Sequence, residues 1–292
     1  MSVVGGIPYE QRLANEKGWA LDEGHRFFQE QSAAHNALRR IAKRLNDIGV
    51  EYAVVGGMAL FHHGFRRFTE DVDILVTRDS LKRIHAHLDG LGYVRPFSQS
   101  KNLRDAELGV KIEFLISGDF PGDGKPKPVS FPDPAQVYED FEGIRFINLA
   151  TFVELKLASG MTNPLRGKDL VDVQELIQAL DLAAEFGEKL NSFVRPKYRE
   201  IWSLLHAASQ RYVRSWNYDT QTAVGDSVDE LRTAFANTSP EFKEMLAYGV
   251  EIMKADQGIV MLATTDADVA ARFDFIAEEE YWNENDASDD AS

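Results

Sequence analysis

Residues Val54 to Val76 carry the residue types and spacing that can do chemistry. Asp71 and Asp73 open an apolar run that reads as a strand. Strand side chains alternate faces, so the two carboxylates share one face about 7 Å apart, while Val72, Ile74 and Val76 share the other. Two carboxylates so placed can grip a hard divalent cation. Unpaired they would repel one another and resist burial. Upstream, Gly56 and Gly57 follow the apolar run 52–55. Glycine permits a sharp strand-to-helix turn and close backbone approach. The free N–H groups of the next helix then offer an anion site. A phosphate seat beside metal-binding aspartates describes a nucleoside triphosphate (NTP) site, with metal bridging protein and phosphate.

The elements that must position these groups follow from periodicity. Residues 22–48 read as one amphipathic helix, stopped by Gly49. Strand 52–55, helix 58–64 and strand 72–77 come next. A helix over about 80–90, capped by Asp79 or Ser80, ends at Gly90 or Gly92. Residues 98–105 read as a loop and Val110–Ile116 as a strand. Residues 117–134, rich in Gly, Pro and Lys, read as a mobile loop. Strand 144–147 precedes helices 149–159 and 169–182, and region 187–256 reads as helices. By alternation Glu113 shares a face with Lys111 and Leu115. If its strand lies beside 72–76, Glu113 completes a three-carboxylate cluster. It would otherwise be a solvated partner of Lys111.

Gly-Gly-Met-Ala at 56–59 and Arg67-Phe-Thr69-Glu-Asp71-Val-Asp73-Ile resemble the nucleotidyltransferase superfamily, whose pattern is Gly-Gly or Gly-Ser, a helix, and Asp-x-Asp. Leu155-Lys156-Leu157-Ala158 and Arg166-Gly-Lys168-Asp169-Leu-Val-Asp172-Val resemble its AbiEii-type toxin branch. The resemblance covers roughly residues 35 to 182. It implies an α+β fold: an α/β-type core with a small mixed β-sheet, flanking helices and a C-terminal helical region. It implies a metal-dependent enzyme moving a nucleotidyl group from an NTP, ATP among the candidates, to an acceptor hydroxyl on RNA, the end of tRNA or a protein. It also implies a toxin paired with a cognate antitoxin. A small-molecule acceptor of the antibiotic type, or a non-catalytic nucleotide or partner binder, are the alternatives.

On that resemblance Asp71, Asp73, Glu113 and Lys156 are catalytic, and Asp71, Asp73 and Glu113 hold Mg²⁺, two ions as in two-metal sites. Gly56, Gly57, Arg67, Thr69, Lys156, Arg166, Lys168 and Asp172 bind the nucleotide. Asp169 and Asp172 lie three apart on one helix face, and Asp169 could serve only as a cap. Two positions depart from the pattern. Met58 stands where many members carry a serine, and Glu113 is longer than the common aspartate.

Composition narrows the classes. The chain has 292 residues, no cysteine and a formal net charge of −15. Lack of cysteine excludes disulfides, thiolate metal sites and cysteine nucleophiles, and fits the cytoplasm. No apolar run approaches a membrane span, and the first residues lack the marks of a signal peptide. The negative charge opposes non-specific nucleic-acid binding but leaves room for a local basic groove. The expected domains are a core over 1–150 with its N-terminal helix, a helical domain over 151–277 that completes the site and acceptor groove, and an acidic, disordered tail over 278–292. His62 and His63 diverge by about 100° on a helix and so make a poor metal pair. Arg211, Tyr212, Arg214 and Trp216 have the composition of an RNA face, or of a helix that buries its rings and keeps its arginines wet.

Overall fold

The computed structural model describes residues 7–209, 211–217, 239–256 and 259–278. The expected acidic tail lies outside them, apart from Glu278. By contact the chain divides into two compact units, Met1–Trp202 and Ser203–Ser292.

The first unit is a mixed α/β structure with helices flanking a seven-stranded sheet. Helices α1 (Tyr9–Asn15), α2 (Lys17–Phe28) and α3 (Ala33–Asp47) come first. The single helix expected over 22–48 is broken at 29–32. Glu30 takes a positive φ of 60°, and Ser32 caps α3 by accepting the backbone N–H of His35. A left-handed residue followed by a serine cap stops one helix and starts another. Strand β1 (Tyr52–Val55) then meets α4 (Gly56–His62), β2 (Asp71–Val76) and α5 (Arg78–Leu88). The cap of α5 is Thr77, which accepts from Ser80 N–H, rather than Asp79 or Ser80.

Strands β3 (Tyr93–Val94), β4 (Leu103–Asp105) and β5 (Lys111–Ile116) follow, then the hairpin β6 (Tyr138–Phe141) and β7 (Ile144–Ile147). β4 occupies part of the stretch expected to be loop. Leu103 is buried against β5 and supplies the apolar side of that short strand. The sheet order is β3-β4-β5-β2-β1-β7-β6. β2 pairs antiparallel with β1 and parallel with β5, and β1 runs parallel to β7. β1 is buried throughout, as a central strand covered on both faces must be. Val72, Ile74 and Val76 face the core beside Ile112, Phe114 and Ile116. The helix pair α6 (Leu149–Thr162) and α7 (Gly167–Ala179) belongs to this same unit, past the boundary expected at residue 150. A short 3₁₀ turn, Pro164–Arg166, joins them. α8 (Arg195–Ser209) follows, and the division between the units falls within it, after Trp202.

The second unit corrects the helical reading of residues 187–256. Beyond α8 it contains β8 (Tyr212–Asn217), α9 (Pro240–Ala247), β9 (Glu251–Asp256), β10 (Ile259–Thr264), α10 (Ala267–Arg272) and β11 (Ile276–Ala277). The strands form an antiparallel sheet in the order β11-β8-β10-β9. Its core joins Phe242, Met245, Ile252, Val260, Leu262 and Phe273. Arg211, just before β8, pairs with Glu251 of β9, and Arg214 of β8 pairs with Glu241 of α9, so neither is displayed on a helix. No described helix is long and apolar enough to cross a membrane.

Candidate active site

The parallel pairing of β2 with β5 sets Asp71 opposite Lys111 and Asp73 opposite Glu113. Directly opposed residues share a sheet face. Asp71, Asp73 and Glu113 therefore converge, each offering one carboxylate oxygen, and these three oxygens lie within 4.8 Å of one another. All three side chains are partly exposed. They border a cavity of about 360 Å³ whose walls also include Gly56, Lys156, Arg166 and Asp169.

Backbone shape makes that convergence available. Gly56 turns β1 into α4 at a φ of +62°, a conformation that glycine adopts without strain. A Cβ there would sit 1.8 Å from Asp73 Oδ2, so the backbone packs directly against the carboxylate. Gly57 is pressed against Thr69, where a Cβ would meet the side chain at 2.6 Å. Thr69 in turn donates its hydroxyl proton to Asp71 Oδ1 at 2.8 Å.

Burial raises the pKa of Asp73 well above the usual carboxylate range, and the charge of Asp71 raises it further; Lys156, Arg166 and Lys111 pull against that. Lys111 forms an ion pair with Glu113 across the same face. Among the described residues Lys111 alone pairs directly with the three acids, since Lys156 and Arg166 pair with Asp169 and Asp172, and this leaves the cluster a surplus of negative charge. Hard oxygen donors so crowded, with a shortage of protein cations, fit a divalent cation.

On the helix pair a second set of charges meets. Lys156 of α6 donates to Asp169 Oδ1 and Asp172 Oδ2 of α7, each at 2.7 Å. Asp169 also takes Ser159 Oγ at 2.6 Å and Arg166 Nε at 2.8 Å. Arg67 reaches Asp172 Oδ2 at 3.1 Å. Burial pushes the Asp169 carboxyl up, but Lys156 and the bonds from Ser159 and Arg166 outweigh it and hold the pKa below the ordinary value. Asp169 is thus a charge hub; α7 has no side-chain cap bond at its N-terminus.

The residues singled out from sequence divide three ways. Gly56, Asp71, Asp73, Glu113, Lys156 and Arg166 line one cavity. Gly57, Thr69, Arg67 and Asp172 stand behind them, through the contacts just given. Lys168 is exposed and is not among the cavity's walls. Sequence reasoning missed Ser159, which points from α6 onto Asp169 at i+3 from Lys156. It also missed the aromatic wall of Phe120, Phe131 and Phe152. The loop expected to be mobile supplies Phe120 and Phe131. Lys127 fastens it by reaching Thr162 Oγ1 at 3.0 Å, and Asn163 Nδ2 donates to Gly122 O at 3.2 Å. His62 and His63 form no metal pair. His62 stacks on Phe146 and His63 Nε2 bonds Ile147 O at 2.8 Å.

No protein-family model matches the chain, and no curated protein matches its sequence. Among solved structures it is similar to ANT(2'')-Ia in complex with adenylyl-2''-tobramycin, at 11% identity over 57% of this chain and 97% of that one, with a TM-score of 0.37. The solution structure of the antibiotic-resistance factor ANT(2'')-Ia gives 13% identity, 58% and 94% coverage and a TM-score of 0.37. An antigenic nucleotidyltransferase-like protein from Paracoccidioides brasiliensis gives 14% identity, 73% and 89% coverage and a TM-score of 0.34. At so low a likeness, what points to chemistry is the arrangement of this chain's own side chains.

Proposed function

We propose that this chain is a Mg²⁺-dependent nucleotidyltransferase that moves a nucleotidyl group from an NTP to an acceptor hydroxyl. The observation that carries the reading is the meeting of Asp71, Asp73 and Glu113 within 4.8 Å beside the Gly56 turn. Bound metal would neutralise the triphosphate and the charge that develops at the transferred phosphorus. Asp71 and Asp73 would hold that metal, two ions in the fullest form, and Glu113 would complete its ligands or take the acceptor's proton. The acceptor oxygen bonds to the α-phosphorus as the bond to the β-phosphate oxygen breaks, and pyrophosphate leaves.

The protein's remaining contribution is positioning. Gly56 and Gly57 let the backbone approach the phosphates. Thr69 fixes the orientation of Asp71, and Arg67 with Asp172 fixes Lys156. Lys156 and Arg166 lie on the cavity wall as cations for the triphosphate. Lys168, exposed and off the cavity, is a weaker candidate for that role. The resemblance to AbiEii-type toxins supports RNA, a tRNA end or a protein as acceptor, and a cognate antitoxin as partner.

The test is incubation with Mg²⁺ and each labelled NTP in turn, with total RNA, cell extract or small hydroxylated compounds, followed by the label. Label on a macromolecule or small molecule that disappears with EDTA supports transfer. NTP binding without transfer to any acceptor would favour a non-catalytic nucleotide binder.

A further inference from the structure

Several residues that the proposed chemistry leaves unused converge on a second cavity, of about 310 Å³, that shares no lining residue with the first. α3 supplies His35 and Arg39, α4 supplies Phe61 and His62, the turn after α4 supplies Arg66, and the β6–β7 hairpin supplies Phe141. Such a volume suits a small organic ligand.

Three observations point to its chemistry. The first is the aromatic lining. His62 lies flat on Phe146 with ring centroids 4.0 Å apart, and Phe141 stands 5.2 Å from His62 with about half its surface open to solvent. The second is cationic. The Arg66 guanidinium sits over the Phe61 ring at 5.2 Å and has no carboxylate partner among the described residues. Arg39 is steadied at the rim by the side chain of Asn36 and the carbonyl of Glu30.

The third is an unmet polar atom. His35 is only 6% exposed. Its Nδ1 is occupied by Ser32 Oγ at 2.9 Å. In either tautomer Nε2 is then left buried with no hydrogen-bond partner among the described residues. Buried polar atoms in folded proteins are nearly always partnered. Glu30 and Glu142 also border the cavity, both exposed, where water screens their charge.

We propose that this cavity is a second binding site, for a small aromatic anion. A flat ring would pack on Phe141 and His62, its phosphate or carboxylate would meet Arg66 and Arg39, and a polar ring atom would approach His35. The shared chemistry can come from a nucleoside monophosphate or from an aromatic acid.

Equilibrium dialysis of the full chain in EDTA separates these sources, with AMP as one probe and 4-hydroxybenzoate as the other. At least one should bind saturably, one per chain, and more tightly than its uncharged counterpart, adenosine or methyl 4-hydroxybenzoate. Arg66→Gln and Phe141→Ala, both at exposed positions, should each weaken that binding about fivefold, the loss of one cation or ring contact. Binding of AMP alone names the nucleotide, and binding of 4-hydroxybenzoate alone names the acid. Absence of binding by both probes overturns the proposal. So does binding that ignores Arg66 and Phe141, or that strengthens in Asp71→Asn, which would put the anion in the first cavity.

Discussion

Gly56 and Asp73 are packed so closely that a single methyl group on the glycine would lie 1.8 Å from Oδ2 of the carboxylate. The backbone there also has a φ of +62°, which side chains rarely adopt.

Gly56→Ala should therefore displace Asp73 and lose metal-dependent transfer, by about a hundredfold or more, because misplacement of a reacting group by 1 Å can have that effect. Strain should also lower stability by about 1–2 kcal/mol. Gly18→Ala is the control, since nothing lies within 4 Å of that position. A Gly56→Ala protein with unchanged Mg²⁺ affinity and transfer would remove the close packing from the mechanism.

Asp71→Asn removes one of two like charges on neighbouring positions of the same face. Transfer should fall about a hundredfold or more, a loss of several kcal/mol of charge stabilisation. The melting temperature should hold or rise, because the charge of Asp71 opposes ionisation of Asp73. Mn²⁺ binding followed by electron paramagnetic resonance gives a readout independent of turnover. Retained wild-type transfer and Mn²⁺ affinity would show that Asp71 holds no metal.

The acidic cluster was legible because strand alternation is strict. One apolar stretch fixes Asp71 and Asp73 on a face, another fixes Glu113, and only their adjacency had to be found. The register of Asp73 against Glu113 depends on β2 and β5 being neighbours although 34 residues separate β2's last residue from β5's first at Val76 and Lys111, which the sequence does not encode locally. Ser159 escaped notice because its partner lies across the α6–α7 hairpin. The second unit was misread for a different reason. Ile259–Thr264 is a short apolar run, and such runs do not distinguish strand from helix by period. Arg211 and Arg214, just before β8 and within it, have partners, Glu251 and Glu241, that lie far along the chain.

Lys156 has more than one task to lose. Only 11% of its side chain is exposed, and it bonds two carboxylates that are buried still more deeply. Lys156→Ala would leave Asp169 with Arg166 and Ser159, and Asp172 with Arg67. Removing one partner from a buried ionic set costs about 3 kcal/mol. Urea denaturation should show that loss, and adding Asp172→Asn should restore part of it, since the uncompensated charge is then gone. A loss below about 0.5 kcal/mol would place the Lys156 ammonium among solvated charges, and leave triphosphate binding as its sole role.

His35 should make the first unit sensitive to mild acid. Burial, aided by the nearby charge of Arg39, lowers its pKa from 6.5 to about 4. The unfolded chain takes up this proton first as pH falls through 6.5, while the folded chain holds the ring neutral until about pH 4. The unfolded state binds more protons throughout that window, so stability rises with pH within it. The neutral ring's contribution is complete above pH 6.5 and is lost as pH falls toward 4. Across the window the loss is about 3 kcal/mol, at about 1.4 kcal/mol per unit where it is steepest. His35→Phe keeps a ring among Phe27 and Phe61 but cannot titrate. Whatever its absolute stability, its urea midpoint should vary less with pH between 6.5 and 4 than that of the wild type. Parallel midpoint curves for the two proteins would show that His35 is protonated in the folded state as readily as in the unfolded one.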